Sequence, residues 1–553
     1  MNSIKSYITI LSGVAILGFS SCTDFLDTES KTSLFEDNYY KTVEDAEMAL
    51  VGCYDGWQIT SGGFPFYLAA EIMSDNCFGA TGNGDGRGYQ AVDRFDILES
   101  PADANLFLDT WLNYYVGIFR CNTLLLKMDQ IEWKANSPDT RKRIEGETRT
   151  LRALMYFDMV RMWENIPLLL EPTRENIPQA DPVDTYKAIV EDLVFAANNI
   201  PANAYPKANA AKNDGRITCY AAKALLARVY LFYTGYYGQE LPGITKAEVL
   251  AGLEDIISSK EYDLVEEFKN LWPAASSVSK EGPNTEEEKK NYVYGWDEEK
   301  TTFAGRGNIE TVLAQKFNDT SDYNGNTDGN GWMKMMGMRN TNWSPYGKGW
   351  GACTVNPLLI EAYEPHDKRR TASFIDITGE GIADEFDLPD QREYTGYTSK
   401  KYTPMAYYDG TTATKGGEGD FQISQSQDYI VIRYSDVLLM AAELGSPSAQ
   451  TYFDKVRARA GLESKPASKE NILEERRFEF ALEGIRYYDL LRQGIDVAAA
   501  AIASESGIPV LSGGVNDKVV IKANNIKKTR GLCQIPETQI TLSKGVLIQN
   551  PGW

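Results

Sequence analysis

The sequence predicts a mostly α protein, a tetratricopeptide-like helical-repeat scaffold carrying a large irregular insertion of loops and short strands. Three observations lead there. Apolar residues recur at helical spacing in segments near both ends of the chain. Two of those segments carry the spacings of a tetratricopeptide hairpin. Between residues 262 and 428 the helical period fades into Gly, Asn, Asp, Thr and Tyr.

Each element follows from its residues. TVEDAEMALVGCYDGWQ, residues 42 to 58, places Thr42 as a cap and acids in the first turns, as a helix start requires. RTLRALMYFDMVRMW, 149 to 163, is apolar on two sides and predicts a buried helix. In 184 to 201, Tyr186, Ile189, Val190, Leu193, Ala197 and Ile200 form one stripe that Pro201 terminates. Within 216 to 237, Leu226, Ala227 and Tyr230 match the L-G-x-x-Y spacing with Ala in place of Gly, and Ala449 with Phe453 repeats the A-x-x-x-F element. Such hairpins bury their faces by stacking on neighbours. The run from Glu474 to Arg492 interleaves Glu475, Glu479, Glu483 and Asp489 with Arg476, Arg477, Arg486 and Arg492 at one-turn spacings. It predicts a salt-bridged helix rather than a catalytic carboxylate pair, because a neighbouring guanidinium lowers a carboxyl pKa and a general acid needs the reverse.

The N-terminus predicts the compartment. Lys5 heads an apolar run from Tyr7 to Phe19, too short to span a bilayer, followed by Ser20, Ser21 and Cys22. A cysteine directly after small residues predicts a lipoprotein signal peptide over 1–21 and acylation of Cys22, although Phe19 stands where a lipobox usually has Leu. Acylation with more than one chain anchors stably. The expected organisation is then an N-terminal helical region 22–261, the insertion 262–428, and a C-terminal helical region 429–553.

Composition narrows the function. The 553 residues are 43% hydrophobic and 24% charged, so a large core is expected, and a formal net charge of -22 disfavours a phosphate backbone as partner. The cysteines beyond Cys22 show no C-x-x-C pair, and His366 is the sole histidine, so zinc and histidine-based catalysis are disfavoured. No cofactor is expected. NDTSDYNGNTDGNGW, 318 to 332, fits a calcium loop at Asn324, Asn326, Asp328 and Gly329 but puts Met335 where the bidentate Glu belongs, so it predicts a turn-rich loop.

The stretch that neither period explains is GNGWMKMMGMRNTNWSPYGKGW, 329 to 350. Trp332, Trp343, Tyr346 and Trp350 would offer flat faces to a sugar, with Arg339, Asn340 and Asn342 supplying hydrogen bonds to hydroxyls. The alternative for each ring is ordinary core packing. A second loop, EIMSDNCFGATGNGDGRGYQ at 71 to 90, offers Asp75, Asn76, Phe78, Arg87 and Tyr89.

CTDFLD at 22 to 27, RTLRALMYFDMVRMWENIPLLL at 149 to 170, GRITCYAAKALLARVYL at 215 to 231, YIVIRYSDVLLMAAE at 429 to 443, FDKVRARAGL at 453 to 462, ILEERRFEFALEGIRYYDLLRQG at 472 to 494 and the closing QNPGW together resemble the SusD/RagB family of surface lipoproteins. Ile485 and Cys533 depart from the family's frequent His and Pro. The resemblance implies a non-catalytic glycan-binding protein, lipid-anchored in the outer membrane and facing the exterior, that delivers oligosaccharide or polysaccharide to a SusC-like TonB-dependent transporter. It implies a ligand site shared by the 71–90 loop and the insertion. A peptide-binding receptor of the same fold and a surface glycoside hydrolase are the competing expectations.

Overall fold

Helix α1 (Val43–Gln58) begins on a reciprocal cap: Thr42 Oγ1 accepts from the Asp45 N–H at 3.1 Å while the Asp45 carboxylate accepts from the Thr42 N–H at 2.8 Å. The computed structural model describes residues 39–134, 138–209, 215–277, 302–324, 328–407, 409–414 and 417–553. The expected signal segment and Cys22 lie outside these residues. Helix α2 (Leu108–Lys127) packs on α1 at a point where both lack side chains: a Cβ on Gly56 would stand 2.8 Å from the Gly117 Cα. Glycine is what lets the two axes approach there.

Helix α3 (Pro138–Trp163) is buried on every side from Thr150 onward, as its two apolar faces predict. Helix α4 (Pro182–Asn199) starts at an Asp181 cap with Pro182 at its first position and ends at Ile200, held extended before Pro201. Helix α5 (Cys219–Tyr237), capped by Thr218, stops at Gly238 in the left-handed conformation. Helix α6 (Lys246–Ser259) follows. Each of these helices packs on the next, and α6 then packs on α8 (Tyr434–Glu443), whose partner is α9 (Ala449–Arg459). Ala227, Tyr230 and Phe453, the residues at repeat spacing, all face the core. The scaffold is a stack of helix pairs of the expected kind. No described helix is long and apolar enough to cross a membrane.

The charged run departs from expectation. It is not one helix but two, α10 (Lys469–Glu479) and α11 (Arg486–Leu491), separated by a turn in which Leu482 and Gly484 have positive φ. Two buried contacts explain the break. The Gly484 N–H donates to the Glu71 carboxylate at 2.6 Å, and Glu483 swings inward to accept from Lys401 at 2.7 Å and Arg433 at 2.9 Å. The expected salt bridging is present and buried: Glu479 meets Arg369, Arg433 and Arg459, and Glu475 meets Arg369 and Arg457. Although burial alone would raise it, these guanidinium groups hold the Glu479 carboxyl well below the usual carboxylate range.

Short strands stitch the insertion to both ends of the chain. Strand β1 (Cys77–Gly79) pairs antiparallel with β4 (Cys353–Val355), and β2 (Thr81–Gly82) with β5 (Gln391–Arg392). Strand β3 (Thr311–Gln315) pairs with β6 (Tyr429–Arg433), so the sequence boundary at 428 runs beside a ladder shared by insertion and C-terminal region. All six cysteines among the described residues are free and buried.

Candidate functional site

The aperiodic 329–350 stretch contains a helical turn, α7 (Gly331–Met336), started by Asn330, whose side chain accepts from the N–H groups of Trp332 at 3.0 Å and Met333 at 3.4 Å. That turn drives Trp332 inward. Its ring is fully buried, with centroids 4.4 Å from Tyr402, 4.8 Å from Tyr429 and 5.5 Å from Tyr67. The expectation of an exposed Trp332 platform is therefore corrected: the ring is core. Tyr346 is also buried, its hydroxyl donating to Glu380 at 2.6 Å.

Three residues of the second loop are structural as well. Phe78 lies in β1 and is buried by its pairing with β4. Asn76 is fully buried, its Oδ1 accepting from Arg477 Nε at 3.1 Å. Asp75 takes a two-pronged contact from Arg486 at 2.8 and 2.9 Å and a further one from Arg477 at 3.0 Å. Burial pushes its carboxyl up, but these guanidinium groups bring it below its ordinary value. Such a residue ties the loop to α10 and α11 and has no free face for a ligand.

The remaining expected residues reach the surface but divide into separate places. Tyr89 is half-buried, stacked on Phe64 at 5.0 Å, with its hydroxyl 3.7 Å from Met335 Sδ. Trp350 is half-buried against the main core, and Lys334 Nζ lies 4.8 Å from its ring centroid. Trp343 packs instead on a second, smaller core built around Met338, Tyr346, Ile375 and Met405. Arg339 is held between Asp390 at 2.9 Å and Asp85 at 3.3 Å, and Asn340 donates to the same Asp390. Asn342 accepts the Lys348 N–H at 2.8 Å, and exposed Arg87 pairs with Glu99 at 2.9 Å.

The large opening beside this loop is a cleft of about 590 Å³ between scaffold and insertion. Its volume falls in the range of about 300–1,000 Å³ usual for small-molecule sites. One wall is the turn after α1 with Asp109 and Asn113 of α2; the other carries Tyr323, Lys334 and Gln422. Glycine makes the junction possible: a Cβ on Gly329 would lie 1.8 Å from the Ile423 carbonyl oxygen, and one on Gly331 2.6 Å from that of Ser61. Burial depresses the Lys334 pKa, and its amine bridges the cleft to the Trp350 ring.

Tyr323 is the residue that sequence reasoning missed. It is 71% exposed, yet its hydroxyl donates to Asp420 at 2.7 Å, which fixes the ring at the cleft mouth. A lone aromatic amid the polar stretch NDTSDYNGNTDGNG is the signal in the sequence. That template's Asn326 lies outside the described residues, Asp328 accepts from Asn318 at 2.9 Å, and Met335 is buried. Among the described residues no group of three or more His, Cys, Asp or Glu side chains is placed to hold a metal ion. The described carboxyls that burial pushes up, Glu71 to about 7 together with Asp93, Asp158 and Glu393, all lie in the interior and none lines the cleft.

Comparison with known proteins gives this geometry a lineage. Residues 384–553 match the SusD family profile, and residues 86–231 match a profile described as starch-binding associating with outer membrane. A SusD-like protein of Formosa agariphila is 23% identical, with 88% of this chain and 90% of that protein covered. One of Bacteroides ovatus is 24% identical, with coverage of 88% and 82%. Among solved structures, a laminarin-binding SusD-like protein shares 27% identity at a TM-score of 0.68, covering 93% of this chain and all of that one. Surface glycan-binding protein A from Bacteroides fluxus superposes with a TM-score of 0.72 at 23% identity, covering 93% and 100%. With its helical-pair scaffold and with family profiles matched over residues 86–231 and 384–553, the chain belongs to the SusD/RagB family.

Proposed function

We propose that this protein is a non-catalytic cell-surface receptor that captures an oligosaccharide or polysaccharide in the cleft and passes it to a SusC-like TonB-dependent transporter. The observation that carries the reading is Tyr323: an exposed ring, pinned by Asp420, at the mouth of a cleft whose walls offer Asp109, Asn113, Lys334 and Gln422. A sugar presents weakly apolar C–H faces and a rim of hydroxyls. The ring meets the first, and the polar walls meet the second. Among the described residues the carboxyls that burial pushes up, Glu71, Asp93, Asp158 and Glu393, lie in the interior and away from the cleft, which supports binding over catalysis. Relatives of the same architecture include a laminarin-binding SusD-like protein and a surface glycan-binding protein in complex with laminarihexaose.

A transporter contact is supported by α2. Leu112, Val116, Phe119 and Leu126 lie along one line of that helix and are 43%, 41%, 53% and 53% exposed. Exposed apolar side chains gathered on one line of a helix suit a surface that another protein covers. The described chain begins beside it, since the Lys41 carbonyl accepts from the Glu132 N–H just beyond the C-terminal end of α2. A lipid on Cys22 would hold this end of the molecule at the outer membrane with the cleft facing the exterior. Cys22→Ala should then release the protein from the membrane, read by labelling with a fatty acid analogue. The function is tested on a glycan array, with casein-derived peptides as competitors, using protein lacking residues 1–22 and its Tyr323→Ala variant. Retention of glycans by the first and weaker retention by the second is expected; retention of peptides alone would overturn the reading, and chain shortening during incubation would overturn the non-catalytic part.

A further inference from the structure

We propose that a second, smaller pocket on the insertion binds one neutral sugar residue, separately from the cleft; this rests on the glycan-receptor reading. The pocket holds about 180 Å³, the scale of a single pyranose, and shares no lining residue with the cleft. Its frame is the antiparallel pair Phe374–Asp376 with Tyr397–Ser399, in which Asp376 stands directly opposite Tyr397. Directly paired residues project to the same face, so the carboxylate and the phenol ring border one space. Phe374, two residues before Asp376, projects to that face too and forms the apolar floor with Ile360.

What distinguishes this pocket is the state of its polar groups. Glu380 is committed: it accepts from the Tyr346 hydroxyl at 2.6 Å and from Lys400 at 2.8 Å. Asp376 uses Oδ1 to accept the Gly379 N–H at 2.8 Å, and its Oδ2 has no hydrogen-bond partner among the described residues. The Arg370 guanidinium, exposed at the pocket edge, forms no ion pair or side-chain hydrogen bond there either, and neither does the Tyr397 hydroxyl. A donor and an acceptor, the latter held by Gly379, thus border one ring-sized space without satisfying each other. Adjacent sugar hydroxyls suit that arrangement, since each both accepts and donates: one takes a guanidinium N–H while the other gives its proton to the carboxylate. The Tyr397 ring supplies the stacking face. Charge around the pocket is balanced, Glu380 by Lys400 and Asp376 by the Arg370 at the edge, which suits a neutral residue better than a uronate or a sulfate. On a long glycan already held in the cleft, such a contact would act through effective concentration, adding avidity without high affinity of its own.

The test is saturation-transfer NMR with the methyl pyranosides of glucose, galactose, mannose and xylose, and with glucuronate, each at millimolar concentration. The protein is the soluble chain carrying Tyr323→Ala, which weakens the cleft, so that a transfer signal removed by a change at Arg370 or Tyr397 belongs to the smaller pocket. At least one neutral pyranoside should give a transfer signal that falls to background when Tyr397→Ala or Arg370→Ala is added and survives Tyr397→Phe. Arg370 is exposed, so its variant preserves the fold and keeps the test decisive if Tyr397→Ala unfolds. No signal from any neutral sugar, a signal unchanged by Arg370→Ala, or a signal from glucuronate alone overturns the proposal. The cleft reading fails separately, on the glycan array, and that failure would leave the pyranoside signal in place.

Discussion

Trp332 and Tyr323 sit nine residues apart in the same Gly- and Asn-rich stretch, and their rings have opposite fates. Trp332 is sealed among Tyr67, Tyr402 and Tyr429 on the scaffold side; Tyr323 stands 71% exposed at the rim and is held by a single hydrogen bond to Asp420. The seam beneath Trp332 is densely tied. Tyr429 belongs to β6, its hydroxyl donates to the Glu483 backbone at 2.6 Å, and β6 ends in Arg433, which meets Glu310, Glu479 and Glu483. The rim has few such ties. Rigidity and availability are thus divided across one cleft wall, with rings of similar size serving packing on one side and recognition on the other.

The largest expected effect lies in the seam. Glu479→Gln leaves three guanidinium groups facing a neutral amide in the interior, and breaking a buried pair from one side costs about 3–5 kcal/mol. Chemical denaturation should show a loss of that order; a change below about 1 kcal/mol would mean that the seam does not hold the wall. Trp332→Ala removes a buried ring and should cost about 3–5 kcal/mol of stability, while the folded fraction still binds the glycan selected by the array. Binding lost in proportion to stability agrees with this division, whereas binding lost with stability intact would return Trp332 to the ligand site.

Glu71 sharpens the seam by pH. Burial raises its carboxyl from 4.5 to about 7, while the Gly484 N–H and Lys401 pull it back. Because the folded value lies above the unfolded one, the folded state retains a proton that the unfolded chain releases. The contribution is fully present below about pH 4.5 and lost as pH rises through about 7. Glu71→Gln keeps an acceptor for Gly484 and should flatten the fall in Tm between pH 5 and pH 8, a term of on the order of 2–3 kcal/mol at most. A fall in Tm as steep as in the parent would place the titration elsewhere.

The smallest effect belongs to the rim. Tyr323→Ala should leave stability within about 0.5 kcal/mol of the parent, as surface changes do. It should weaken glycan binding roughly tenfold, since ring contacts of this kind are worth about 0.5–1.5 kcal/mol beyond area burial. Calorimetry and melting temperature on the same sample separate it from Trp332→Ala. Equal binding losses with equal stability losses in the two variants would erase the contrast between seam and rim.

Helices were legible where a local rule decides them. The Thr42 cap with Asp45, the doubly apolar faces of 149–163 and the stop at Pro201 each act within a few residues, and the fold repeats them. The 474–492 run was legible in its charge pairing but not in its shape, because the break at 480–485 answers to Glu71, Lys401 and Arg433, which lie far off along the chain. The loops were legible as a class: aromatic rings, Asn and Asp without a period mark a place where function can sit. Which ring faces water was not in the local pattern. That depends on what lies beneath each one: a ladder strand and two tyrosines under Trp332, and open cleft beside Tyr323. Periodicity and capping are short-range, so the sequence by itself determined the helical scaffold. Burial is a long-range sum over distant segments, so only the tertiary structure decided which aromatic faces remain free for a ligand.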